Sequence, residues 1–153
     1  MSWGIEQYTE DAQVELLAHV AVSWGFGRDP TRNEIERGDW FAGYRGHELS
    51  MIYWFERVLA VPEDAGLHYV ISPRVRGHWP VRQWLEHVVS HARQTSVQRL
   101  HAHVEGPALD YLLRYVEIWN RRHDDTVTIE SSQPLGRMQA VVIDLGDEPW
   151  VGS

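Results

Sequence analysis

The fold of this chain is decided by one stretch, Val70-Ile71-Ser72-Pro73-Arg74-Val75-Arg76-Gly77-His78, and by the helical pattern that follows it from Trp84 to His87. An apolar strand pattern ends at Pro73, two arginines and a glycine follow, and an amphipathic helix begins. The N-terminus of a helix presents unpaired N–H groups and the positive end of its dipole, which together can bind a pyrophosphate. Glycine lets the backbone approach phosphates closely, and arginine adds a charge-assisted contact. The stretch therefore predicts a strand, an anion-binding loop and a helix.

The residues after this stretch predict two helices and three strands. Apolar residues from Val81 to Ala92 recur at three- and four-residue spacing, which is typical of an amphipathic helix. Strict alternation predicts a strand from Leu100 to Val104, and Pro107 is suited to open a helix that runs to about Trp119. Residues 126–129 and 138–145 are expected to form two closing strands, and residues 145–153 a C-terminal tail.

Two helices are predicted before the stretch. Thr9 is expected to cap the first helix, which ends near Gly25. Its apolar face is formed by Val14, Leu17, Ala18 and Ala21. Thr31 and Glu34 form a T-x-x-E capping box, the usual start of a helix, and Gly38 is expected to end that short helix.

Strand patterns complete the first half of the chain. Residues 40–55 predict a hairpin that turns at Arg45-Gly46, residues 62–66 a loop and residues 67–71 a strand, and residues 3–8 can add another strand. We therefore expect one domain over residues 1–153, of the α/β (α+β) class. Its mixed, mostly antiparallel sheet is expected to be flanked by about four helices.

Composition excludes several classes of protein. The chain has 153 residues with 14 basic and 22 acidic side chains, a net charge of −8, and ordinary hydrophobic (43%) and charged (24%) fractions. Disorder of the whole chain is therefore excluded. The absence of Cys excludes disulfides, thiolate zinc sites and cysteine nucleophiles. An acidic chain is also poorly suited to bind nucleic acid, which requires neutralisation of phosphates.

All 14 basic residues are Arg, so the chain contains no Lys. Codon bias in a GC-rich genome explains this absence, and so does an amine-modifying enzyme that must not modify itself; the sequence leaves both open. The first residues lack the basic segment of a secretory signal, and the longest apolar stretch, residues 14–24, is too short to span a bilayer. We expect a cytoplasmic protein without membrane contact.

The order of elements and the stretch quoted above resemble the GNAT superfamily of N-acyltransferases. That family joins a hydrophobic strand, a Pro and an Arg-Gly-x-Gly-x-Gly/Ala run to a helix, and Pro73, Arg76 and Gly77 fall at those offsets. In this sequence Trp79 and Val81 replace the later small residues, and Pro80 stands between them. The resemblance implies acetyl-CoA as cofactor, held by Ile71, Arg74, Arg76, Gly77, His78 and Trp79.

The resemblance also implies that a Glu, a His or a chain of waters deprotonates an acceptor amine, while a Tyr protonates the leaving thiolate. Histidine has a suitable pKa to accept a proton from the amine. The candidate general bases are therefore His68, His101 and His103. Glu56 and Glu105 are carboxylate alternatives. For the acid, Tyr111 lies one residue from Leu112, the position that aligns with the family's tyrosine.

Each of these residues also has a structural interpretation. A histidine in an alternating strand can simply form its polar half, and Tyr111 and Tyr115 can be packing residues one helical turn apart. His87 with His91, and His101 with His103, are possible pairs of metal ligands, but a third ligand would have to come from an Asp or Glu elsewhere. We therefore predict no metal site and keep one as the minor alternative. Gly25-Phe26-Gly27 lacks the third glycine of a dinucleotide fingerprint and is expected to be loop.

The sequence therefore predicts an N-acyltransferase that transfers an acetyl group from acetyl-CoA to an amine of a protein or small molecule. The alternative is a non-catalytic GNAT-like binding or assembly module, such as a phage-encoded protein of the host cytoplasm or virion. Its many aromatic residues would then serve a protein partner or a homo-oligomer. Titration with acetyl-CoA separates the two.

Overall fold

The computed structural model describes residues 2–58, 60–75, 80–132, 134 and 136–146. The helices are α1 (Asp11–Ser23), α2 (Arg32–Arg37), α3 (Val81–Gln94) and α4 (Gly106–His123). The strands are β1 (Trp3–Tyr8), β2 (Asp39–Arg45), β3 (Glu48–Arg57), β4 (Asp64–Ile71), β5 (Arg99–Glu105), β6 (Thr128–Ser131) and β7 (Met138–Asp144).

The seven strands form one sheet in the order β1-β2-β3-β4-β5-β7-β6. β4 pairs with β5 in parallel, whereas the pairs β1–β2, β2–β3, β5–β7 and β6–β7 are antiparallel. The predicted class, a single α/β domain with a mixed sheet and about four helices, is therefore confirmed. None of the helices in the described ranges is long and apolar enough to cross a membrane.

Within this domain the chain divides into two compact units. Residues 1–57 and 67–79 form the first unit, and residues 58–66 and 80–153 form the second. The predicted tail falls largely outside the described residues, but Leu145 is buried and its N–H donates to the carbonyl of Gln98.

The core of the first unit lies between α1 and the β2–β3 hairpin. Trp40 and Trp54 are cross-strand partners whose rings stack with centroids 4.3 Å apart and planes 7° apart. Burial of each such side chain contributes up to about 3 kcal/mol. The predicted apolar face of α1 packs on this cluster through Val14, Leu17, Ala18 and Ala21.

The core of the second unit is built on α3, α4 and the β5–β7–β6 ladder. Trp84 and Trp119 are buried, as their helical spacing predicted. Arg93 donates to both carboxylate oxygens of Asp125 and to the carbonyl of Leu145, at 2.6 to 2.9 Å. Burial opposes ionisation of Asp125, but hydrogen bonds from Arg93 and Trp119 lower its pKa to about 2.

Two predicted boundaries were wrong. Thr9 does not cap α1; Glu10 occupies the cap position without a side-chain bond, because β1 stays paired through Tyr8 and delays the helix. Residues 62–66 are not all loop, since Asp64–Gly66 pair with Arg99–His101 of β5. A neighbouring strand thus overrides the low strand propensity of Asp and Gly.

The C-terminal end of α4 also differs from its prediction. α4 continues one turn past Trp119 to His123, and Asp124 ends it in the left-handed conformation.

Gly38, at the end of α2, is the glycine that this packing requires most. A Cβ at this position would lie 2.3 Å from the backbone oxygen of Glu34 and 3.0 Å from Nε1 of Trp40. We expect Gly38→Ala to lower the free energy of unfolding by about 1–3 kcal/mol, because the backbone must shift to relieve the overlap.

Urea denaturation measures this change, and Gly4→Ala is the matched control. A Cβ on Gly4 meets nothing within 4 Å, so we expect a change within about 0.5 kcal/mol there. Equal effects of the two substitutions would contradict the close approach at Gly38.

Candidate active site

The site in the first unit begins with a loop that sequence patterns mark as irregular. Gly25 and Gly27 both have positive φ, +99° and +91°, so the chain turns sharply on each side of Phe26. The Phe26 ring packs edge-on against Trp54, with centroids 4.7 Å apart. Arg28 follows, and its guanidinium carbon lies 5.1 Å from the centre of the Phe26 ring. The loop therefore places the Phe26 ring against the β2–β3 hairpin and the Arg28 cation beside that ring.

Glu34 lies fully buried beside this loop. The predicted capping box is confirmed: the Glu34 N–H donates to Oγ1 of Thr31, and the Thr31 N–H donates to Oε1 of Glu34 at 3.0 Å. Arg28 donates to Oε1 at 2.7 Å and to Oε2 at 3.3 Å. Trp54 Nε1 donates to Oε2 at 2.6 Å. Both carboxylate oxygens are thus bonded.

These bonds keep the buried carboxyl ionised. Burial alone raises the pKa of Glu34, but the hydrogen bonds from Arg28, the Thr31 backbone and Trp54 lower it to about 2. The backbone oxygen of Glu34 is also engaged, since Trp40 Nε1 donates to it at 2.8 Å. The two stacked indoles therefore both bind Glu34, Trp40 at the backbone oxygen and Trp54 at the carboxylate.

His68, predicted as a base, lies on β4 next to this network. Its Nε2 is 3.2 Å from Oε1 of Glu56 and 3.6 Å from Oε2 of Glu34. The imidazole contacts Trp54 and Phe26, with ring centroids 5.4 and 6.0 Å away. Its side chain remains 21% exposed. The structure thus joins His68 with Glu56, one of the carboxylates singled out from the sequence.

Glu34, Glu56 and His68 each place one potential metal-ligand atom within 4.8 Å of the other two. Among the described residues, this is the group of three whose spacing could hold a metal ion. The donor chemistry favours a proton over a metal ion. Both oxygens of Glu34 already accept bonds from the Arg28 cation, which would repel a second cation. We therefore interpret the cluster as a carboxylate–histidine site.

The other predicted histidines belong to the second unit. His101 and His103 share the exposed face of β5, as their alternation predicted. His101 Nε2 lies 3.0 Å from Oδ2 of Asp64. Burial raises the pKa of Asp64, but the hydrogen bond with His101 and the Arg99 charge hold it below its usual value. Catalytic roles for His101 and His103 stay predictions.

His87 and His91 are half-buried on α3, as expected for residues at the edge of an apolar face. Their rings stack with centroids 6.1 Å apart. Burial, with the charge of His91, lowers the pKa of His87 to about 4.

Tyr111 is 57% exposed on α4, so its interpretation as a packing residue was wrong. The helix turns this position away from the buried residues Leu112, Val116 and Trp119. Its role as an acid stays a prediction.

The predicted cofactor residues are described only in part. Ile71 is half-buried at the end of β4, and Arg74 is exposed, with its N–H donating to Oγ of Ser72. Arg76, Gly77, His78 and Trp79 lie outside the described residues. At the start of α3, Pro80 makes no side-chain cap and the first turn contains no acidic residue. The N–H groups of that turn fit an anion.

Sequence reasoning missed the central role of Glu34. The T-x-x-E pattern identified it as a cap, but its burial depends on Trp54, twenty residues later, and on Arg28. The signal that could have found it is the density of Trp in the hairpin, because a buried indole N–H needs a hydrogen-bond acceptor and a nearby carboxylate offers one.

The structure is similar to those of solved N-acetyltransferases. The ribosomal-protein-S18-alanine N-acetyltransferase of Escherichia coli matches with a TM-score of 0.62 and 15% identity, over 99% of this chain and 97% of its own. The spermidine N-acetyltransferase of Vibrio cholerae, in complex with CoA and spermine, matches with a TM-score of 0.61 and 10% identity, over 95% and 96%.

A Bacillus subtilis acetyltransferase in complex with CoA matches with a TM-score of 0.60 and 16% identity, over 94% of this chain and 99% of its own. No protein-family model matches the sequence, and no curated protein matches it. The chain therefore has the fold of the GNAT acetyltransferases, as its resemblance to that family implied.

The ionised Glu34 predicts a specific response of stability to acid. Its carboxyl has an ordinary pKa near 4.5 and a folded-state pKa of about 2. Its contribution is therefore complete above pH 4.5 and is lost as the pH falls towards 2. We expect Glu34→Gln to cost about 2 kcal/mol at pH 7 and to flatten the decline between pH 4.5 and 2.

Denaturant titration at several pH values checks both effects. Glu36→Gln is the control, because Glu36 lies on the same helix but is exposed in an ion pair with Arg32. If the free energy of unfolding of Glu34→Gln declines between pH 4.5 and 2 as steeply as that of the wild type, protonation of Glu34 is not the cause of the decline.

Proposed function

We propose that this protein is an acyl-CoA-dependent N-acyltransferase in which His68 accepts a proton from the acceptor amine. The observation that supports it most is the pairing of Nε2 of His68 with Glu56 at 3.2 Å, beside the rings of Trp54 and Phe26. This pairing occurs in a chain that shares its fold with solved acetyltransferases and a GNAT domain over at least 92% of its length.

The chemistry follows from the groups present. Acyl-CoA supplies a thioester carbonyl as the acyl donor. An amine must be unprotonated to attack this carbon, and a histidine titrates in the range where it can take that proton. The C–N bond forms, the C–S bond breaks and the thiolate leaves with the electron pair. Because the chain contains no Cys, we propose direct transfer without an acyl-cysteine intermediate.

The residues proposed to hold the cofactor are those that the resemblance assigns: Ile71, Arg74, Arg76, Gly77, His78 and Trp79. The exposed Arg74 guanidinium can make a charge-assisted contact with a phosphate of the cofactor.

The acceptor is an amine of a protein or a small molecule. The similar structures include an enzyme named for a ribosomal-protein alanine and one named for spermidine, so both kinds of amine are proposed as test acceptors. The net charge of −8 favours the approach of cationic acceptors over long range.

Calorimetric titration with acetyl-CoA tests the cofactor. We expect binding, and we expect Arg74→Gln to weaken it about three- to tenfold because one charge-assisted contact is lost. Arg137→Gln, which changes an exposed arginine on the β6–β7 connection, is expected to bind as the wild type does. Absence of heat at millimolar acetyl-CoA would overturn the proposal and favour the binding or assembly module, whose self-association a sizing column reveals.

Turnover tests the base. Release of free CoA is measured with a thiol reagent, to which this Cys-free chain contributes no background. The acceptors are spermidine and a peptide with an N-terminal alanine. We expect His68→Gln to lower kcat/KM by about 10²- to 10⁴-fold while acetyl-CoA still binds, because proton acceptance is lost.

His19→Gln, an exposed histidine on α1, is the matched control and is expected to retain full activity. His101→Gln tests the rival base, because His101 is also paired with a carboxylate. Loss of turnover in His101→Gln but not in His68→Gln would move the base to β5.

A further inference from the structure

We infer that Glu56 is a positioning residue that accepts the Nε2 proton of His68 and thereby leaves Nδ1 as the nitrogen that receives the substrate's proton. This inference rests on the proposed function, because it assigns the accepting atom and its partner within the same site.

The tautomer follows from what faces each nitrogen. Nε2 of His68 lies 3.2 Å from Oε1 of Glu56 and 3.6 Å from Oε2 of Glu34. Carboxylates offer acceptors only, so a lone pair on Nε2 would face two negative oxygens without a proton between them. A neutral imidazole has one N–H, which is therefore placed at Nε2. Among the described residues nothing hydrogen-bonds Nδ1.

Glu56 is the acceptor of this proton, and Glu34 is not. The distance from Nε2 to Glu34 exceeds hydrogen-bond length, and both oxygens of Glu34 already accept bonds from Arg28. Glu56 is half-buried, and its bond to His68 is the one that its side chain makes within the described ranges.

The ring is also held in orientation by its apolar neighbours. Trp54 lies 5.4 Å away at 33°, and Phe26 meets the imidazole edge-on at 6.0 Å and 85°. A ring flip would have to break the bond to Glu56 and disturb the contacts with both rings. The 21% of the His68 side chain that stays exposed leaves access for an acceptor.

The charges around His68 suit the cation that forms. Arg28 forms a bidentate pair with Glu34, and Glu56 adds a second carboxylate, so negative charge exceeds positive charge around the imidazole. When Nδ1 takes a proton from the amine, the positive imidazolium remains bonded to this carboxylate. The proton then passes from Nδ1 to solvent, which restores the neutral ring.

Nitrogen NMR of the full chain, labelled in its histidine rings, tests the tautomer without turnover. We expect the neutral ring of His68 to carry its proton on Nε2, with Nδ1 unprotonated, and the signal is assigned by its loss in His68→Gln. In Glu56→Leu we expect both nitrogens to move towards the averaged values of a free imidazole, and the Nε2 proton to exchange faster. Glu56→Gln retains an acceptor oxygen and is expected to restore the bond.

Kinetics complete the test. We expect Glu56→Leu to lower kcat by about tenfold or more with an unchanged KM for acetyl-CoA, and Glu56→Gln to recover part of the loss. Glu48→Leu, which changes the exposed glutamate at the other end of β3, is the matched control.

The outcomes separate the two proposals. A wild-type ring protonated on Nδ1 would overturn the inference, as would a Glu56→Leu variant with unchanged kcat. If no acceptor turns over while the Nε2 proton is bonded to Glu56, the proposed function fails and the positioning by Glu56 stands.

Discussion

The first unit depends on one buried negative charge. The Glu34 carboxylate has no solvent exposure, and an ion in such a place must be fully hydrogen-bonded or the fold loses several kcal/mol. Its donors come from three separate parts of the chain: Arg28 in the Gly-flanked loop, the Thr31 N–H at the start of α2, and the Trp54 indole in β3. The loop, the helix and the hairpin are therefore fixed relative to one another by a single side chain.

The same constraint places the proposed base. Side chains two residues apart point to one face of a strand, so Trp54 and Glu56 project from β3 together. Trp54 is held by Glu34 and packs against the imidazole, while Glu56 bonds its Nε2. The structural charge and the proposed catalytic pair are thus adjacent but distinct. Glu34 stabilises the surroundings of His68, and Glu56 determines which nitrogen of the ring is available.

Local patterns predicted the elements, because each depends on neighbours in sequence. The capping box at Thr31, the apolar faces of α1 and α3 and the alternation of β5 are all confirmed. The errors arose where tertiary contacts decide, as at Asp64–Gly66, where pairing with β5 extends a strand that propensity had ended. For the site, His68 and Glu56 were each singled out, but their pairing depends on strand register, which periodicity alone does not supply. The burial of Glu34 required donors distant in sequence and was therefore missed.

The likeness to solved N-acetyltransferases describes a scaffold, and scaffolds of this kind do not by themselves carry chemistry. The site of this chain holds an imidazole that contacts two aromatic rings and whose Nε2 lies 3.2 Å from a carboxylate oxygen. The bond is part-buried, since 21% of the His68 side chain and 30% of the Glu56 side chain stay exposed to solvent. A ring held in one orientation and one tautomer loses less conformational entropy in each turnover than a mobile base does. The orientation of His68 is therefore of the kind that the proposed proton transfer requires.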